Sequence, residues 1–220
     1  MKIPSVRLIA LMAALLCAPT LGAQSAPQST PPAGGALPGD PKPRPDLVAF
    51  PYVQADVEFM QGMIPHHAQA VKMCGMAPTH AGKREVKLMC ERMLISQRDE
   101  IKMMRIWLLD RGQFVPAPDA THHTMTMPGG MKHDMLMPGM LTDEEMAQLD
   151  KARGDAWDRM FLTGMIKHHQ GAITMVDVLM KAPGGAQGDD IYGFASDIFA
   201  DQTAEIERMQ KLLDAKESRS

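Results

Sequence analysis

Two pairs of adjacent histidines are the residues best suited to chemistry, because each pair stands close to a methionine at helical spacing. The first pair is His66–His67 and the second is His168–His169, and Met63 and Met165 stand three residues before them. Side chains three or four residues apart share one face of a helix, so each thioether can approach its imidazoles. Thioether sulfur is a soft ligand that favours copper(I), and imidazole also suits copper, whereas zinc sites use Cys, His and carboxylate. The pattern therefore predicts copper(I) binding by each pair and leaves open whether the two pairs share one site. The predicted ligands are His66, His67, His168, His169, Met63 and Met165.

An internal repeat relates the two pairs to each other. Residues 56–73 return 102 positions later as residues 158–175, with Asp-x-x-Phe-x-x-Gly-Met-Ile-x-His-His in both copies. A second segment, 97–104, returns as 202–209 with the common pattern Gln-x-x-Glu-Ile-x-x-Met. One histidine pair on a helix is usually a chance feature of surface or core. Its recurrence at the same place in both copies is what favours metal ligation.

Both repeated segments have helical period, since their apolar positions recur at steps of three and four residues. The predicted helices span residues 53–76, 84–111, 154–181 and 190–215, with turns at 75–82 and 182–188. Thr142-Asp-Glu-Glu145 has the spacing of a capping box and predicts a short helix before the second copy. Two hairpins whose apolar faces each need a partner form a four-helix bundle, so the predicted fold is all-α.

The second helix of each hairpin carries polar residues on an otherwise apolar face. In an antiparallel hairpin, the register that brings Cys74 to Cys90 also sets Gln97 and Glu100 level with the predicted metal-binding turn. Glu100 could then orient a histidine ligand through its free N–H, as carboxylates behind metal ligands do. The alternative is a buried hydrogen-bonded layer that fixes the helix register. Both interpretations apply to Gln97, Glu100, Gln202 and Glu205.

Cys74 and Cys90 are the two cysteines that follow the N-terminal apolar segment. In an oxidising compartment an even pair is more often a disulfide than a metal site. We therefore predict a Cys74–Cys90 disulfide.

The segment between the two copies is unusually rich in methionine and histidine, and it is interrupted by Pro-Gly pairs that leave no helix or strand period. One interpretation is a flexible set of further metal ligands, and the other is a flexible connector of biased composition. The predicted ligands are His122, His123, Met125, Met127, Met131, His133, Met135, Met137 and Met140.

The first 23 residues have the pattern of a cleaved secretory signal. Lys2 and Arg7 accompany an apolar run, Leu8–Leu16, that is too short to cross a bilayer, and small residues lead to a cleavage site at about Ala23. A lipid anchor at Cys17 is the weaker alternative. We expect a periplasmic or secreted protein with no membrane span. The predicted organisation is a signal at 1–23, a disordered Pro/Ala-rich leader at 24–51, hairpins at 52–111 and 142–220, and the Met/His-rich linker at 112–141.

The composition of the chain argues against nucleic-acid binding and agrees with metal binding. Without the signal, 21 basic residues face 26 acidic ones, so there is no basic excess for binding nucleic acid. Methionine is abundant, at 22 of 220 residues, although ordinary cores use it sparingly. Metal binding would explain that excess.

With these motifs in hand, the chain resembles the family of domain of unknown function 305 over residues 52–215. That family is marked by Asp-x-x-Phe-x-x-x-Met-Ile-x-His-His followed by Gln-x-x-Glu-Ile, and both copies here match it. The resemblance implies a ferritin-like helical fold, periplasmic binding of copper or silver, and a role in metal tolerance. Enzymatic activity is not part of what it implies.

Three functions remain to be compared. The leading hypothesis is a copper(I) buffer, sequestering protein or chaperone without enzymatic activity, which binds the metal ion and exchanges it with another copper-handling protein. The second is a metal-dependent oxidase. Di-iron proteins of ferritin-like fold place Glu three residues before His, where this chain has Met63 and Met165, and this disfavours the oxidase. The third is a helical interaction module in which His and Met are structural.

Overall fold

The structure is a computed structural model that describes residues 36–38, 40–47, 51–126 and 132–217, and every contact below refers to them. The predicted signal at 1–23 lies outside these ranges, as do the predicted linker ligands Met127 and Met131. The side chain of Met125 is also outside the description.

The described residues form five α-helices, one short 3-10 turn and two short strands. The helices are α1 (Gln54–His80), α2 (Arg84–Asp110), α3 (Asp143–Lys151), α4 (Gly154–Lys181) and α5 (Asp189–Glu217). The 3-10 turn is Pro45–Leu47, and the strands are β1 (His123–Thr126) and β2 (Lys132–Met135). Helices α1 and α2 pack as one hairpin and α4 and α5 as the other, and α1 and α4 join the two halves. The predicted all-α bundle of two repeated hairpins is confirmed, and α3 begins at the predicted Thr142 cap.

Helix α1 is longer than its sequence suggests. The predicted turn at 75–82 is wrong, because α1 continues through Gly75 and Pro78 to His80 and the connection to α2 is only three residues long. His80 is buried in this last turn, where its Nε2 lies 3.0 Å from the backbone oxygen of Asp150. Packing against the α3 region therefore overrides the local preference of Gly and Pro for a turn.

Two buried aspartates connect the halves crosswise. The Asp56 carboxylate, at the start of α1, accepts the backbone N–H of Ala186 in the α4–α5 loop at 2.7 Å. The Asp158 carboxylate, near the start of α4, accepts the N–H groups of Gly82 and Lys83 in the α1–α2 loop at 3.0 and 2.9 Å. Each copy of the repeat thus fixes the hairpin loop of the other copy. The aspartate of the repeated motif is structural.

The linker contains more regular structure than was predicted. Strands β1 and β2 form an antiparallel hairpin in which His123 pairs with Met135. The Thr124 hydroxyl donates a hydrogen bond to the Asp134 carboxylate across the strands at 2.5 Å. The prediction that no secondary structure forms in this segment is therefore wrong for residues 123–126 and 132–135. A hairpin this short has too few residues to show a strand period.

Part of the predicted disordered leader packs on α2. The Asp40 carboxylate lies 2.5 Å from the guanidinium of Arg105, which is buried. The backbone N–H of Leu37, followed by the contact with Arg105, lowers the pKa of Asp40. The backbone N–H of Arg44 donates to the Asp110 carboxylate at 2.8 Å. These two contacts hold the segment around Asp40 and Arg44 against α2.

Helices that could cross a bilayer were sought throughout the described ranges, and none has the required length and hydrophobicity.

Candidate metal-binding site

The four histidines of the repeated motif meet at the centre of the bundle. The rings of His66 on α1 and His168 on α4 are in contact, with centroids 3.8 Å apart and planes inclined by 38°. His67 and His169 flank this central pair, with ring centroids 6.2 and 6.1 Å from those of their neighbours in sequence. All four side chains are buried. The two histidine pairs therefore form one cluster at the interface between the halves.

The outer two histidines each contact a carboxylate of the adjacent helix. Nε2 of His67 lies 2.5 Å from Glu100 Oε2, and Nε2 of His169 lies 2.6 Å from Glu205 Oε2. The sequence register predicted that Glu100 lies level with the metal-binding turn, and in the structure its carboxylate contacts His67 in that turn. Both carboxylates occupy the position from which they can orient an imidazole.

The inner two histidines donate to backbone carbonyls. Nε2 of His66 lies 3.0 Å from the oxygen of Pro138, and Nε2 of His168 lies 3.0 Å from the oxygen of His66. Carbonyl oxygens and ionised carboxylates can only accept hydrogen bonds. The Nε2 atom of each of the four histidines therefore carries the proton. In a neutral imidazole the other nitrogen, Nδ1, then has a free lone pair.

The free lone pairs are buried and have no partner. Nδ1 of His66, His67, His168 and His169 makes no hydrogen bond with any described residue. Burial, followed by electrostatic repulsion from a proton on the neighbouring His67, lowers the pKa of His66 from 6.5 to about 3. Burial, followed by the same kind of repulsion between His168 and His66, lowers the pKa of His168 well below 6.5. Both rings are therefore neutral near pH 7. Buried nitrogens without partners are costly, so four together require an explanation.

The cluster is not arranged as a finished site of the commonest ligand types. Among the described side chains, no three from His, Cys, Asp and Glu converge with the geometry of a metal site. A thioether ligand or a rotation of the rings is needed to complete one. Met63 and Met165 are fully buried one turn before the histidine pairs, where the sequence predicted them.

A strap, which we define as residues 137–141, covers His66. Besides the Pro138 contact, the Gln69 side chain binds both the N–H and the carbonyl of Leu141, at 2.7 and 2.9 Å. The strap also passes so close to Gly171 that a Cβ there would lie 1.8 Å from the Pro138 oxygen. The strap is thus held from both halves of the bundle.

The sequence analysis missed Gln69 and Gly171. These two residues occupy equivalent positions in the repeat and differ because the strap crosses them differently, binding one and passing against the backbone of the other. A departure from the pattern within an otherwise matching repeat was the signal that could have identified them.

The structure divides the predicted linker ligands. Met140 is buried and Met137 half-buried in the strap, where the Met137 methyl group lies over Gly62, one turn before His66. Of the other predicted linker ligands whose side chains are described, His133 and Met135 are exposed on the hairpin, while His122 and His123 are half-buried. His122 Nε2 lies 3.6 Å from the Asp143 carboxylate. Burial lowers the pKa of His123. Among the described linker ligands, Met137 and Met140 are the two in the strap, the segment that contacts His66 through Pro138.

Gln97 and Gln202 are buried, but the amide oxygen of each has no hydrogen-bond partner among the described residues. These glutamines therefore do not form a polar layer in which every hydrogen-bonding atom has a partner.

Cys74 on α1 and Cys90 on α2 lie next to each other, as the register predicted, with a hydrogen bond between the thiols. Both are buried free thiols, so the predicted disulfide is not formed in this structure. Burial, and then the bond to Cys90, raise the pKa of Cys74 well above its ordinary value.

Known proteins with this architecture support the resemblance drawn from the motifs. The family model described as Domain of unknown function (DUF305) matches residues 56–213. A DUF305 fragment from Deinococcus radiodurans is 27% identical with a TM-score of 0.61, and the match covers 76% of this chain and 99% of that one. A DUF305 protein from Streptomyces coelicolor is 28% identical with a TM-score of 0.61, and the match covers 73% and 93%.

A third similar structure is CopM in its Cu(I)-bound form, which is 27% identical with a TM-score of 0.56 over 73% of this chain and 96% of that one. CopM has also been solved in Cu(II)-bound and Ag-bound forms. None of the curated protein sequences is significantly similar to this chain. The family match covers most of the chain and agrees with the duplicated His-His motif, the helical bundle and these structural neighbours, so the chain belongs to the DUF305 family.

Proposed function

We propose that this protein is an exported copper(I)-binding protein that buffers, sequesters or hands over the ion, and that silver(I) can take the same place. The observation that carries the proposal is the set of four buried Nδ1 lone pairs in one cluster. They are the only nitrogens of these rings free to act as ligands, because every Nε2 is engaged with an oxygen.

The surroundings of the cluster suit a soft monovalent ion. Imidazole nitrogen and thioether sulfur are neutral ligands that copper(I) accepts, and Met63 and Met165 supply the thioethers. Glu100 and Glu205 bring negative charge to within hydrogen-bonding distance of the outer imidazoles, which increases the basicity of Nδ1 and balances the charge of a bound cation. The Cu(I)- and Ag-bound forms of CopM support the same choice of ion.

Because His66 and His168 are in contact, we propose a shared metal centre rather than one independent site per repeat. Anaerobic titration with copper(I), read by native mass spectrometry and by competition with a copper(I) chelator, tests this. Replacing either pair with alanine (His66→Ala with His67→Ala, or His168→Ala with His169→Ala) should also weaken the copper held by the remaining pair. Half the copper, held at unchanged affinity in each variant, would indicate two independent sites. Full binding after all four replacements would refute the proposal.

His80 provides a matched control. It is buried on the same helix as His66, but Thr79 Oγ1 lies 2.7 Å from its Nδ1 and the Asp150 carbonyl engages its Nε2, so neither nitrogen is free. His80→Ala should therefore lower the stability of the protein without lowering its copper capacity. A loss of copper equal to that of the double variants would point to a general effect of disturbing the core.

We also propose that the protein is not an oxidase. The two carboxylates nearest the histidines are engaged with them, and the positions that carry Glu in di-iron proteins are Met63 and Met165. Oxygen consumption measured with ferrous or cuprous ion should show no catalytic turnover. Sustained turnover would favour the oxidase instead.

A further inference from the structure

Three sulfur atoms meet in the core of the first hairpin, at a place distinct from the histidine cluster. Cys74 Sγ lies 3.7 Å from Met93 Sδ, and the Cys74 thiol is hydrogen-bonded to Cys90. Cys90 and Met93 are one turn apart on α2, and Cys74 faces them from α1. All three side chains are essentially inaccessible to solvent, at 0 to 1% exposure.

The second copy of the repeat shows that packing alone does not require these sulfurs. The positions equivalent to Cys74, Cys90 and Met93 are Val176, Ala195 and Ile198. These three apolar residues are also buried, at 2% exposure or less. All three sulfurs are therefore present in one half, and all three are missing from equivalent core positions in the other half. Residues that bind one common ligand are expected to be present together or absent together, as these three are.

We propose that Cys74, Cys90 and Met93 form a second copper(I) site. Three sulfur ligands with metal–sulfur bonds of about 2.3 Å lie about 4 Å apart around a trigonal ion, close to the observed 3.7 Å separation. Thiolate and thioether are the soft ligands that copper(I) prefers. In binding, both thiols release their protons to solvent and coordinate Cu⁺ as thiolates, while Met93 coordinates through its neutral thioether. The bound site then carries one negative charge, and no oxidation or reduction occurs.

The sulfur site lies on the same helix as the histidine cluster, because Cys74 follows His67 by about two turns of α1. Copper could pass between a nitrogen-rich and a sulfur-rich site without leaving the bundle. This inference rests on the proposed function for the identity of the ion, and on its own residues for the site.

The test uses the full chain, fully reduced and loaded anaerobically with copper(I). In one variant the three residues take the identities found in the other half: Cys74→Val, Cys90→Ala and Met93→Ile. This variant should lose one copper ion per chain in native mass spectrometry, and its copper X-ray absorption should lose the sulfur-rich contribution. The variant with all four histidines replaced by alanine should keep that ion and that contribution.

Each result is assigned to one hypothesis. If the sulfur variant binds as many copper ions as the unmodified chain with the same sulfur contribution, the sulfur site is refuted and the histidine site stands. If the sulfur variant binds no copper while the histidine variant still binds it, the sulfur site stands and the proposed histidine site is refuted. Circular dichroism checks that both variants remain helical. Should the triple variant fail to fold, Cys90→Ala alone removes one ligand, and unchanged copper stoichiometry and affinity would refute the site equally.

Discussion

His168 donates its Nε2–H to the backbone oxygen of His66, its own equivalent in the other copy of the repeat, at 3.0 Å. The side chain of one half is therefore bonded to the main chain of the other at the point where the two rings touch. Neither half contains this arrangement by itself, so the cluster is a product of the duplication.

Glu100 and Glu205 should tune the metal centre without binding the ion. Glu100→Gln keeps the size of the side chain and an oxygen that can accept the His67 N–H, but removes the negative charge. Loss of such a carboxylate behind a metal ligand typically weakens metal affinity by about 10- to 100-fold, and we expect this for Glu100→Gln and for Glu205→Gln. Competition with a copper(I) chelator measures it. Glu91→Gln, at an exposed position of α2, is the control, and equal affinities for Glu91→Gln and Glu100→Gln would contradict the role.

The metal-free protein should lose stability on mild acidification. Burial holds the pKa of His66 at about 3 and that of His168 well below 6.5, whereas both titrate near 6.5 in the unfolded chain. At pH values between about 3 and 6.5, the unfolded chain binds more protons than the folded protein. The free energy of unfolding therefore falls as the pH drops from about 6.5 towards 3, and this contribution is fully retained above about 6.5.

Urea denaturation from about pH 7.5 to pH 5, above the range in which most carboxylates titrate, measures this slope. In the variant His66→Leu with His168→Leu, the slope should be markedly smaller. Parallel slopes for the variant and the unmodified protein would show that other groups dominate the acid sensitivity.

The close approach of the strap to α4 makes Gly171 intolerant of any side chain. In Gly171→Ala the new methyl group would overlap the Pro138 oxygen, so the strap must move away or the helix must shift. We expect a loss of roughly 2 kcal/mol or more in the free energy of unfolding, since overpacked core sites cost this much. Gly75→Ala is the matched control: it lies within α1 with open space around it, and should stabilise the protein by up to about 1 kcal/mol. Chemical denaturation measures the free energy of unfolding of both variants. An equal change for Gly171→Ala and Gly75→Ala would contradict the close approach of the strap to α4.

The linker hairpin and the strap should have separable roles. His123 pairs with Met135, so the chain ends at 122 and 136 are close, and two glycines can replace residues 123–135 while keeping the strap. Helix content should be unchanged by circular dichroism, and the tightly bound copper should remain. The more weakly held and rapidly exchanging copper should be lost, because exposed Met and His side chains on a short hairpin lose conformational freedom when they bind the ion.

A longer deletion that also removes the strap should uncover His66 and weaken the tight site as well. If the shorter deletion leaves copper capacity and exchange rate unchanged, the hairpin is only a spacer. If it unfolds the bundle, the hairpin is part of the fold.

Cys74 and Cys90 should form a disulfide when the exported protein is oxidised without metal, since the two thiols are already neighbours. The closed loop of roughly fifteen residues would contribute about 3 kcal/mol in the chain-entropy model. Labelling of the unfolded, non-reduced protein should detect no free thiol, and labelling after reduction should detect two. Protein loaded with copper(I) before oxidation should keep both thiols free. Two free thiols in oxidised, metal-free protein would contradict the pairing.

Much of this site could be predicted because its signals are local. Helical period, the repeat and the histidine pairs are all features of short segments, and the Cys74–Cys90 register followed from the length of one hairpin. The contact between His66 and His168 could not be predicted, because it depends on how α1 packs on α4. The Pro138 contact was equally hidden, since the chain returns to His66 after 72 residues. Local preference misled at Gly75, where packing of the following turn extends the helix.

The crosswise bonds of Asp56 and Asp158 have an evolutionary consequence. A chain with a single hairpin would carry the same aspartate but would find the loop it must fix only in a second molecule. Such a hairpin would be complete as a twofold-symmetric homodimer, with each subunit capping the other. In the duplicated chain, that dimer interface lies inside one molecule. A homodimer would require both halves to have the same sequence, but the duplicated chain does not. One half can therefore have Gln69 and the three-sulfur cluster, while the other has Gly171 and the sulfur-free residues Val176, Ala195 and Ile198 at the equivalent positions.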